Sequence, residues 1–486
     1  MKKRIFTIGC IATVAILMAL VGSVILPAST SSGTAIKLIP VTGKNDMYES
    51  AIVGFVDSGV ATMEITTIQQ LVTNGEVFSE RTQKSLSYRG YNTEQLIAAS
   101  NELLQIGEHS VEISEAFTSG TAYVTIDRSN FSASYSAQEY QKRLIPAALI
   151  DSALYRTIDI YDNTREYLLY FKHPTSVENW AVKSDWEFAD AQGFASIDHN
   201  GNLLKSAYSI TYQHLILGEV KDVLHFTVYI DYKPAAAEIQ LTEDPSEYTR
   251  ISYLDGPRML EKASGYLLQA GNVSAHYSDR IFCQAFGDER TKSISLFTAD
   301  SNNFSARIDT ETVLTNTGRV GDVTRHTHNE LFVDGVYTIR ADQGESTQNT
   351  NLTSETIKNY CKDQLVSTIM MPQDIMNTEI SDIENTLKIV ITPSEAFAAL
   401  VSSNACQTLY QKPAILNELA TNSTTEKLEC YLIVDKYTNL PISSGIEFSG
   451  LYAIEGIPYN LQYKADQSYN IASTDAQKQI NEAAGQ

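Results

Sequence analysis

The amino-acid sequence predicts an α+β protein, in which an N-terminal transmembrane helix precedes two tandem antiparallel modules with helical inserts. Three observations predict this fold class: an uncharged apolar run near the N terminus, ordered motifs that recur in the second half, and segments of alternating polarity. Of the 486 residues, 43% are hydrophobic and 19% are charged. This composition supports folded cores and excludes a fully disordered or fibrous chain.

The chain carries a large negative charge. It has 36 lysine and arginine residues against 58 aspartate and glutamate residues, so the formal net charge is −22. A surface of this sign repels the phosphate groups of DNA and RNA. We therefore expect no nucleic-acid partner.

The N-terminal segment has the pattern of a membrane-spanning helix. Residues 5–26 are uncharged, and as an α-helix they would be about 33 Å long, enough to cross a hydrocarbon core of roughly 30 Å. Three basic residues precede this run, which predicts a cytoplasmic N terminus and an extracytoplasmic C-terminal region. Pro27, Ala28 and Ser29 offer a cleavage site, so a cleaved signal peptide is the alternative.

The first two segments of the chain follow from this pattern. Residues 1–27 are expected to form a signal anchor that crosses the cell membrane once. Residues 28–44, which are rich in serine, threonine and glycine, are expected to form a flexible stalk.

The two halves of the chain share motifs in the same order. The first match has a constant offset and pairs Met47, Glu49, Ala51 and Gly59 with Met259, Glu261, Ala263 and Gly271. Later matches pair residues 80–87 with 289–295, then Gly120, Tyr123 and Asp127 with Gly335, Tyr337 and Asp342, and finally Asp198, Asn202 and Ser206 with Asp435, Asn439 and Ser443. Ordered matches of this kind predict a tandem duplication.

The duplication sets the expected domain boundaries. The first β-rich module is expected over residues 45–240 and the second over residues 257–475. A linker at residues 241–256 contains two turn signals, Asp-Pro and Asp-Gly. The small, polar residues 476–486 are expected to form a disordered tail.

Each module is expected to begin with a helix and to contain a helical insert. The opening helices are predicted at Asp46–Ser58 and Pro257–Ala270, because a glycine suited to a left-handed cap follows each of them. Apolar residues at helical spacing predict the inserts at Ala137–Leu154 and Ser354–Met370.

The remaining segments of each module read as strands. Period-two alternation at residues 123–126 and 337–339 predicts half-buried strands. The Asn-Gly pair at residues 200–201 predicts a tight hairpin late in the first module, and residues 436–439 hold the matching turn in the second.

The last hairpin of the second module carries a family resemblance. The segment Ile433-Val434-Asp435-Lys436-Tyr437-Thr438-Asn439-Leu440-Pro441-Ile442 joins a strand that ends at an aspartate to an Asn-Leu-Pro turn. With the opening helix, the antiparallel meander and the helical insert, it resembles the lipoprotein-carrier (LolA/LppX/RseB-like) superfamily. The first copy departs from the pattern, because Leu204 stands where the proline is expected.

The resemblance implies both a fold and a role. Each module would be an antiparallel half-barrel, an unclosed barrel whose helix-covered face holds acyl chains or binds a protein in the bacterial envelope. No ligand-lining residue can be transferred from the family to this sequence.

Signatures of catalysis are missing from the sequence, including those of serine nucleophiles, zinc peptidases and phosphate-binding loops. We therefore expect a non-enzymatic protein with no catalytic residue and no cofactor. His326, His328 and Glu330 would share one face of a strand and could bind zinc. Their neighbour Arg325, and the absence of an equivalent in the first copy, favour an exposed polar strand face, so no metal site is predicted.

Three further features have structural explanations. The oxygen-rich segment around Asp198 lacks the distant glutamate of a calcium loop and is interpreted as a turn. Trp180 and Trp186 could contact a sugar or a partner, but packing is the favoured interpretation. Two carboxylate pairs of the kind that glycosidases use are interpreted as solvated: Glu112 with Glu115, and Asp159 with Asp162.

Four cysteines follow the apolar run, and all lie in the second module: Cys283, Cys361, Cys406 and Cys430. An even number in an exported domain is compatible with disulfide bonds. Buried free thiols, which pack as small apolar groups, are the other interpretation.

The expected function combines these observations. The chain is predicted to be a membrane-anchored, extracytoplasmic, non-enzymatic protein that binds a lipid-like or other apolar ligand as a carrier or sensor. The alternative is a module for protein–protein interaction or assembly in the envelope, with envelope proteins as partners. A cell-wall hydrolase is the less favoured third hypothesis.

Overall fold

The structure is a computed structural model that describes most of the chain after residue 38. The described residues are 39–41, 46–144, 150–175, 186–233, 239, 245–283, 286–300, 303–316, 322–333, 335–341, 346–349, 353–398, 401, 420–454 and 457–484.

The first sheet has thirteen strands; β13 pairs with β7 in parallel, whereas hairpins such as that of β11 and β12 are antiparallel. Its strands are β1 Ile39–Pro40, β2 Val60–Thr73, β3 Glu76–Arg89, β4 Ile97–Ile106, β5 His109–Thr118, β6 Thr121–Ile126, β7 Ser129–Ser134, β8 Tyr155–Asp162, β9 Glu166–Pro174, β10 Trp186–Asp198, β11 Leu203–Ile216, β12 Glu219–Lys233 and β13 Thr249–Arg250.

The second sheet has eleven strands and is antiparallel. Its strands are β14 Val273–Cys283, β15 Phe286–Asp300, β16 Asn303–Asn316, β17 Asp322–Val333, β18 Val336–Ala341, β19 Ser346–Asn349, β20 Ile375–Ile383, β21 Thr386–Pro393, β22 Ala420–Asp435, β23 Pro441–Ile454 and β24 Ile457–Ile471.

In the described part of the chain, residues 395–398 and 401 are helical, and five further α-helices accompany the two sheets. They are α1 Met47–Asp57, α2 Ala137–Leu144, α3 Asp255–Gln269, α4 Ser354–Val366 and α5 Ala476–Ala484. Short 3-10 turns lie at Ser152–Leu154, Pro245–Glu247 and Pro372–Asp374.

The two sheets share one strand order. In the first, β8 to β12 run in sequence and are followed by β2 to β7; in the second, β20 to β24 run in sequence and are followed by β14 to β19. Helices α1 and α3 precede the equivalent strands β2 and β14, and helices α2 and α4 precede the equivalent strands β8 and β20. This shared order is the one that a tandem duplication predicts.

The predicted α+β fold class is wrong, because the protein is mostly β and is built on two large sheets. Long hairpins satisfy the backbone of most segments, and the described helices have at most 15 residues. In the described part of the chain, no helix is long and apolar enough to cross a membrane. The signal anchor predicted for residues 1–27 lies outside the described residues, as does most of the stalk.

The chain forms two compact units. Unit 1 contains residues 1–77, 81–100 and 136–240, and unit 2 contains residues 78–80, 101–135 and 241–486. These units differ from the predicted modules at 45–240 and 257–475. Residues 78–80 and 101–135 of the first sheet group with the second half of the chain, and the predicted linker and tail are also part of unit 2.

The core of unit 1 forms where helix α1 covers the sheet. Its residues Tyr48, Ala51 and Phe55 are buried, and they recur at the spacing of one helix face. The ring of Tyr48 lies 4.8 Å from that of Phe171, and the ring of Phe55 lies 4.9 Å from that of Tyr232. Edge-to-face contacts of this kind add to the free energy gained from apolar burial.

Helix α3 is the helix of unit 2 that is equivalent to α1, and it has charged side chains as well as an apolar stripe. Its buried residues Leu260, Ala263 and Leu267 form an apolar stripe. Beside this stripe, Arg258 Nη2 lies 2.7 Å from Glu102 Oε2, and further ion pairs join Lys262 to Glu80 at 2.6 Å and Glu261 to His109 at 2.9 Å. These pairs hold the strand residues 78–80 and 101–135 against the helix within unit 2.

Both predicted hairpin turns are present, and an aspartate closes each one. Asp198 Oδ1 accepts hydrogen bonds from the backbone N–H groups of Asn200 and Asn202, both at 2.8 Å. Asp435 Oδ1 accepts from the N–H groups of Tyr437 and Thr438, at 2.9 and 2.8 Å. The shared aspartate therefore has a structural role, as an Asx-turn acceptor.

The C-terminal tail contains a helix where disorder was predicted. Helix α5 begins at Ala476, and its residues Ala476 and Ile480 are buried. They are one helical turn apart, so both point to the sheet. Two apolar residues among polar ones are a weak sequence signal, and only the sheet beneath them stabilises the helix.

Candidate functional site

Six apolar and aromatic side chains line one face of the sheet in unit 1. We call this set the aromatic face: Trp186, Phe188, Tyr208, Ile210, Tyr212 and Phe226. All six are partly exposed to solvent. Their positions on β10, β11 and β12 follow the period-two alternation of strand side chains.

Strand register places the aromatic face on the same side of the sheet as helix α1. Ser206, two residues before Tyr208, shares a 2.7 Å hydrogen bond with Tyr232, and Tyr232 packs against Phe55 of the helix. Directly opposed pairs then extend this side: Tyr208 faces Val228, and Ile210 faces Phe226. The aromatic face is therefore the continuation of the core beyond the end of the helix.

The side chains of the aromatic face contact one another across the strands. The rings of Phe188 and Tyr212 are 6.4 Å apart and T-shaped, and those of Tyr208 and Phe226 are 6.2 Å apart. Burial raises the pKa of the Tyr208 phenol to about 12. The phenols therefore remain neutral at physiological pH, and the face presents apolar rings with hydroxyl groups that can hydrogen-bond.

A histidine and an aspartate mark one end of the face. His214 Nδ1 lies 2.8 Å from Asp222 Oδ2, and the Trp186 ring stacks on the imidazole with centroids 5.3 Å apart. This pair supplies the polar boundary of an otherwise apolar surface. Beyond it, the hairpin between β11 and β12 exposes Ile216, Leu217 and Val220, and Leu217 is fully exposed.

The equivalent surface in unit 2 differs in burial. Strand register makes Ser444, one residue beyond the Ser443 of the sequence match, the structural equivalent of Ser206. Ser444 and Tyr469 share a 2.7 Å hydrogen bond that matches the one between Ser206 and Tyr232. Four residues beyond Ser444, Phe448 is buried, whereas Ile210, four residues beyond Ser206, is half-exposed. Of these two equivalent positions, only the one in unit 1 leaves apolar surface in contact with solvent.

The histidine cluster proposed as a possible zinc site lies on β17, within unit 2. Glu330 is buried and accepts a hydrogen bond from the Tyr337 hydroxyl and a 3.4 Å bond from the Tyr360 hydroxyl. His328 Nε2 lies 3.3 Å from the same carboxylate, and His326 is exposed. Among the described residues, no three ligands are grouped as a metal ion requires.

The carboxylate pairs do not converge. Asp159 pairs with Lys172 at 2.7 Å, whereas Asp162 lies 3.3 Å from His199. Glu112 and Glu115 are three residues apart on β5, so their side chains point to opposite faces of the sheet. Neither pair has the arrangement of two facing carboxylates that a glycosidase uses.

Two of the four cysteines in the second module are buried free thiols. Burial raises the pKa of Cys361, on α4, and of Cys430, on β22, to about 12 in each case. Cys406 lies outside the described residues, as does the side chain of Cys283. Trp180 is also outside them, and Trp186 is part of the aromatic face.

Sequence reasoning missed most of the aromatic face. A signal was present, because β11 places Tyr208, Ile210 and Tyr212 at alternate positions, and β12 contributes Phe226. This pattern is the same for a buried and for a solvent-exposed sheet face. It therefore predicts the strand but not its accessibility.

Comparisons with known proteins leave the family undetermined. No family model and no curated protein matches the chain. Among solved structures, the complex of Pseudomonas aeruginosa MucA and MucB matches at 11% identity, covering 65% of this chain and 96% of that one with a TM-score of 0.16. A DUF1329 family protein from Desulfovibrio piger matches at 11% identity over 48% and 98% of the two chains, also with a TM-score of 0.16. TM-scores this low carry no argument about fold, so the lipoprotein-carrier resemblance remains a hypothesis.

Proposed function

We propose that unit 1 binds an apolar ligand, such as an acyl chain, on the aromatic face and that the protein acts as a non-enzymatic carrier or sensor. The observation that supports this proposal is a partly exposed row of rings and aliphatic side chains that continues from a buried core. Isolated exposed apolar residues are common on proteins, but a contiguous set marks a binding surface.

The chemistry of the aromatic face favours an apolar, chain-like ligand. Covering one such side chain contributes about 1.5–3 kcal/mol when burial is complete, and less for groups that are already half-buried. The Tyr208 and Tyr212 hydroxyls add hydrogen-bond donors that suit an ester or carboxyl group. The aromatic face extends over three strands, so an extended chain covers more of it than a compact molecule does.

Fluorescence titration tests this proposal on the full chain. Dansyl-labelled undecanoic acid should increase in emission on binding, and native mass spectrometry should show one adduct that is lost under denaturing conditions. Tyr212→Ser removes a ring from the face and should weaken binding about tenfold, which corresponds to about 1.4 kcal/mol.

The matched control is Gln213→Ser. Gln213 is adjacent on β11, and its side chain points to the opposite side of the sheet. Binding should be unchanged in this variant. Equal loss in both variants, or no uptake by the wild-type protein, would contradict ligand binding at the aromatic face.

The exposed hairpin of unit 1 favours a second candidate, an interaction module for an envelope protein. Leu217 is fully exposed at the turn, and Ile216 and Val220 are each more than 40% exposed. Three protruding apolar side chains are suited to insertion into an apolar pocket of a partner.

Crosslinking in cells tests this second candidate. A photocrosslinking amino acid at Leu217 should give a discrete adduct, whereas the same group at Lys205 should give none. Similar adducts from both positions would count against a specific partner at the hairpin.

We also propose that the protein acts outside the cytoplasm. The proposal is supported by the sequence pattern of residues 1–26, a basic start followed by an apolar run, which is typical of exported chains. Protease added to cells with a permeabilised outer envelope should degrade the protein. Complete protection under conditions that cleave a known exported control would contradict this location.

A further inference from the structure

A polar cavity of about 470 Å³ lies in unit 2, separate from the aromatic face. Strands β14, β15, β16 and β24 form its floor, and helix α5 closes one end. Its volume is within the range of small-molecule sites, which is roughly 300–1,000 Å³. The polar side chains that define it are Ser274, His276, Ser293, Ser295, Arg307 and Asp309.

The closed end of the cavity is held rigidly. Gln479 of helix α5 accepts a hydrogen bond from the buried Ser295 hydroxyl, and its backbone carbonyl accepts a 2.9 Å bond from Arg307 Nη1. Arg307 Nε lies 2.7 Å from Asp309 Oδ2. The helix therefore orients the guanidinium, and the guanidinium orients the carboxylate.

One oxygen at this end has an unused hydrogen-bonding capacity. Asp309 Oδ1 is buried, and within the part of the chain that the structure describes no donor lies within hydrogen-bond distance of it. A buried carboxylate oxygen without a donor costs free energy. A ligand that donates a hydrogen bond to this oxygen would recover that free energy. The cavity is therefore suited to a ligand with a hydrogen-bond donor.

Charge narrows the class of ligand. An anionic ligand, whether phosphate or carboxylate, would be repelled by the Asp309 carboxylate, and a cation would be repelled by Arg307, which already neutralises the aspartate. An apolar ligand would leave Asp309 Oδ1 without a hydrogen-bond donor. The remaining class of ligand is a neutral molecule with several groups that both donate and accept hydrogen bonds.

We propose that this cavity binds a neutral polyhydroxylated ligand, such as one sugar unit of a glycan. Asp309 Oδ1 accepts from one hydroxyl of the ligand, and Ser293 and His276, which are exposed at the rim, hydrogen-bond to others. The site is independent of apolar-ligand binding in unit 1, because it uses different residues and the opposite chemistry.

Saturation-transfer NMR on the full chain tests the proposal with glucose, galactose, mannose and N-acetylglucosamine as probes. At least one sugar should bind with a dissociation constant in the millimolar range. Asp309→Asn replaces an acceptor with an amide and should weaken that binding about tenfold or more. Ser293→Trp fills the open side of the cavity from an exposed position and should abolish it.

The matched control is Gln462→Trp, which adds the same ring at an exposed position of β24 outside the cavity. It should bind the sugar as the wild-type protein does, and so should Tyr212→Ser. The proposal is overturned if none of the four sugars gives a signal at about 50 mM, well above millimolar affinity. It is also overturned if binding persists in Ser293→Trp.

Discussion

Arg258 Nη2 lies 2.7 Å from Glu102 Oε2, and the Glu102 side chain is only 5% exposed. The arginine is on helix α3 and the glutamate is on β4, so the pair joins two segments of unit 2 that are more than 150 residues apart in the chain. A carboxylate this buried depends on its partner, because water does not replace the lost charge–charge interaction.

Removing one member of this pair should be costly. Glu102→Ala removes the carboxylate that lies 2.7 Å from the partly buried guanidinium of Arg258, and the free energy of unfolding should fall by about 2 kcal/mol. Urea denaturation measures this change. The control is Lys205→Ala, which removes an ion pair with Asp231 in which both side chains are more than half exposed; its effect should stay below about 0.5 kcal/mol. Equal effects would show that burial does not decide the strength of these pairs.

Gly256 is required by close packing in the first turn of helix α3. A Cβ at this position would lie 2.6 Å from the side chain of Thr378. Gly256→Ala should therefore destabilise the protein by about 1–3 kcal/mol, since the buried threonine has little room to move.

Gly54, on helix α1, is a glycine whose replacement by alanine should stabilise the protein. No atom lies within 4 Å of a Cβ placed there on helix α1. Gly54→Ala should therefore stabilise the protein by about 0.5–1 kcal/mol, because alanine loses less backbone entropy in a helix. Thermal unfolding of the two single variants checks both signs. A stabilising Gly256→Ala would contradict the described packing of helix α3.

The buried thiols predict a loss of stability at high pH. Burial raises the pKa of both Cys361 and Cys430 to about 12, whereas an unfolded thiol has a pKa of about 8.5. Their contribution is fully present below about pH 8.5 and is lost as pH rises towards 12, because ionisation favours the unfolded chain. Between pH 7.5 and 10 the free energy of unfolding should fall by roughly 2 kcal/mol per thiol.

The double variant Cys361→Ala, Cys430→Ala isolates this effect. It retains every tyrosine, so only the thiol contribution to the pH dependence should disappear. The same burial predicts that neither thiol reacts with iodoacetamide at pH 8 unless the protein is unfolded first. Rapid labelling of the folded protein at either cysteine would contradict the assigned pKa values.

The aspartates of the two equivalent turns should have similar energetic roles. Asp435 Oδ1 accepts three hydrogen bonds, two from backbone N–H groups and one from the Thr438 hydroxyl. Asp435→Ala should lower the free energy of unfolding by about 1–2 kcal/mol, and Asp435→Asn, which keeps an acceptor oxygen, by less. Chemical denaturation distinguishes the two variants. An equal loss in both would show that the charge, rather than the acceptor, stabilises the turn.

Local patterns in the sequence predicted the opening helices and several strand positions. Helix α1 was expected at Asp46–Ser58 and is found at Met47–Asp57, and helix α3 was expected at Pro257–Ala270 and is found at Asp255–Gln269. The Asn-Gly pair at residues 200–201 predicted the hairpin turn. These features depend on neighbours within a few residues, so local side-chain chemistry is enough to specify them.

The fold class was mispredicted because strand content depends on pairing over long distances. The described part of helix α2 is Ala137–Leu144, and Ser152–Leu154, at the end of the expected helix, form a 3-10 turn. Long hairpins take up most of the described chain. Hydrogen bonds between strands join residues far apart in sequence, and single-strand alternation is a weak signal of them.

The sequence by itself determined the repeated order of motifs, the acidic charge, and the residue types available for the turns and helices. Only the tertiary structure decided which apolar residues are exposed: it leaves Ile210 half-exposed and buries Phe448, although the two follow equivalent serines. It also brought Arg307 to the backbone carbonyl of Gln479 on helix α5, 172 residues away in the chain. The physical reason is that burial and side-chain pairing depend on what covers a strand face, and the covering residues lie far away in the chain.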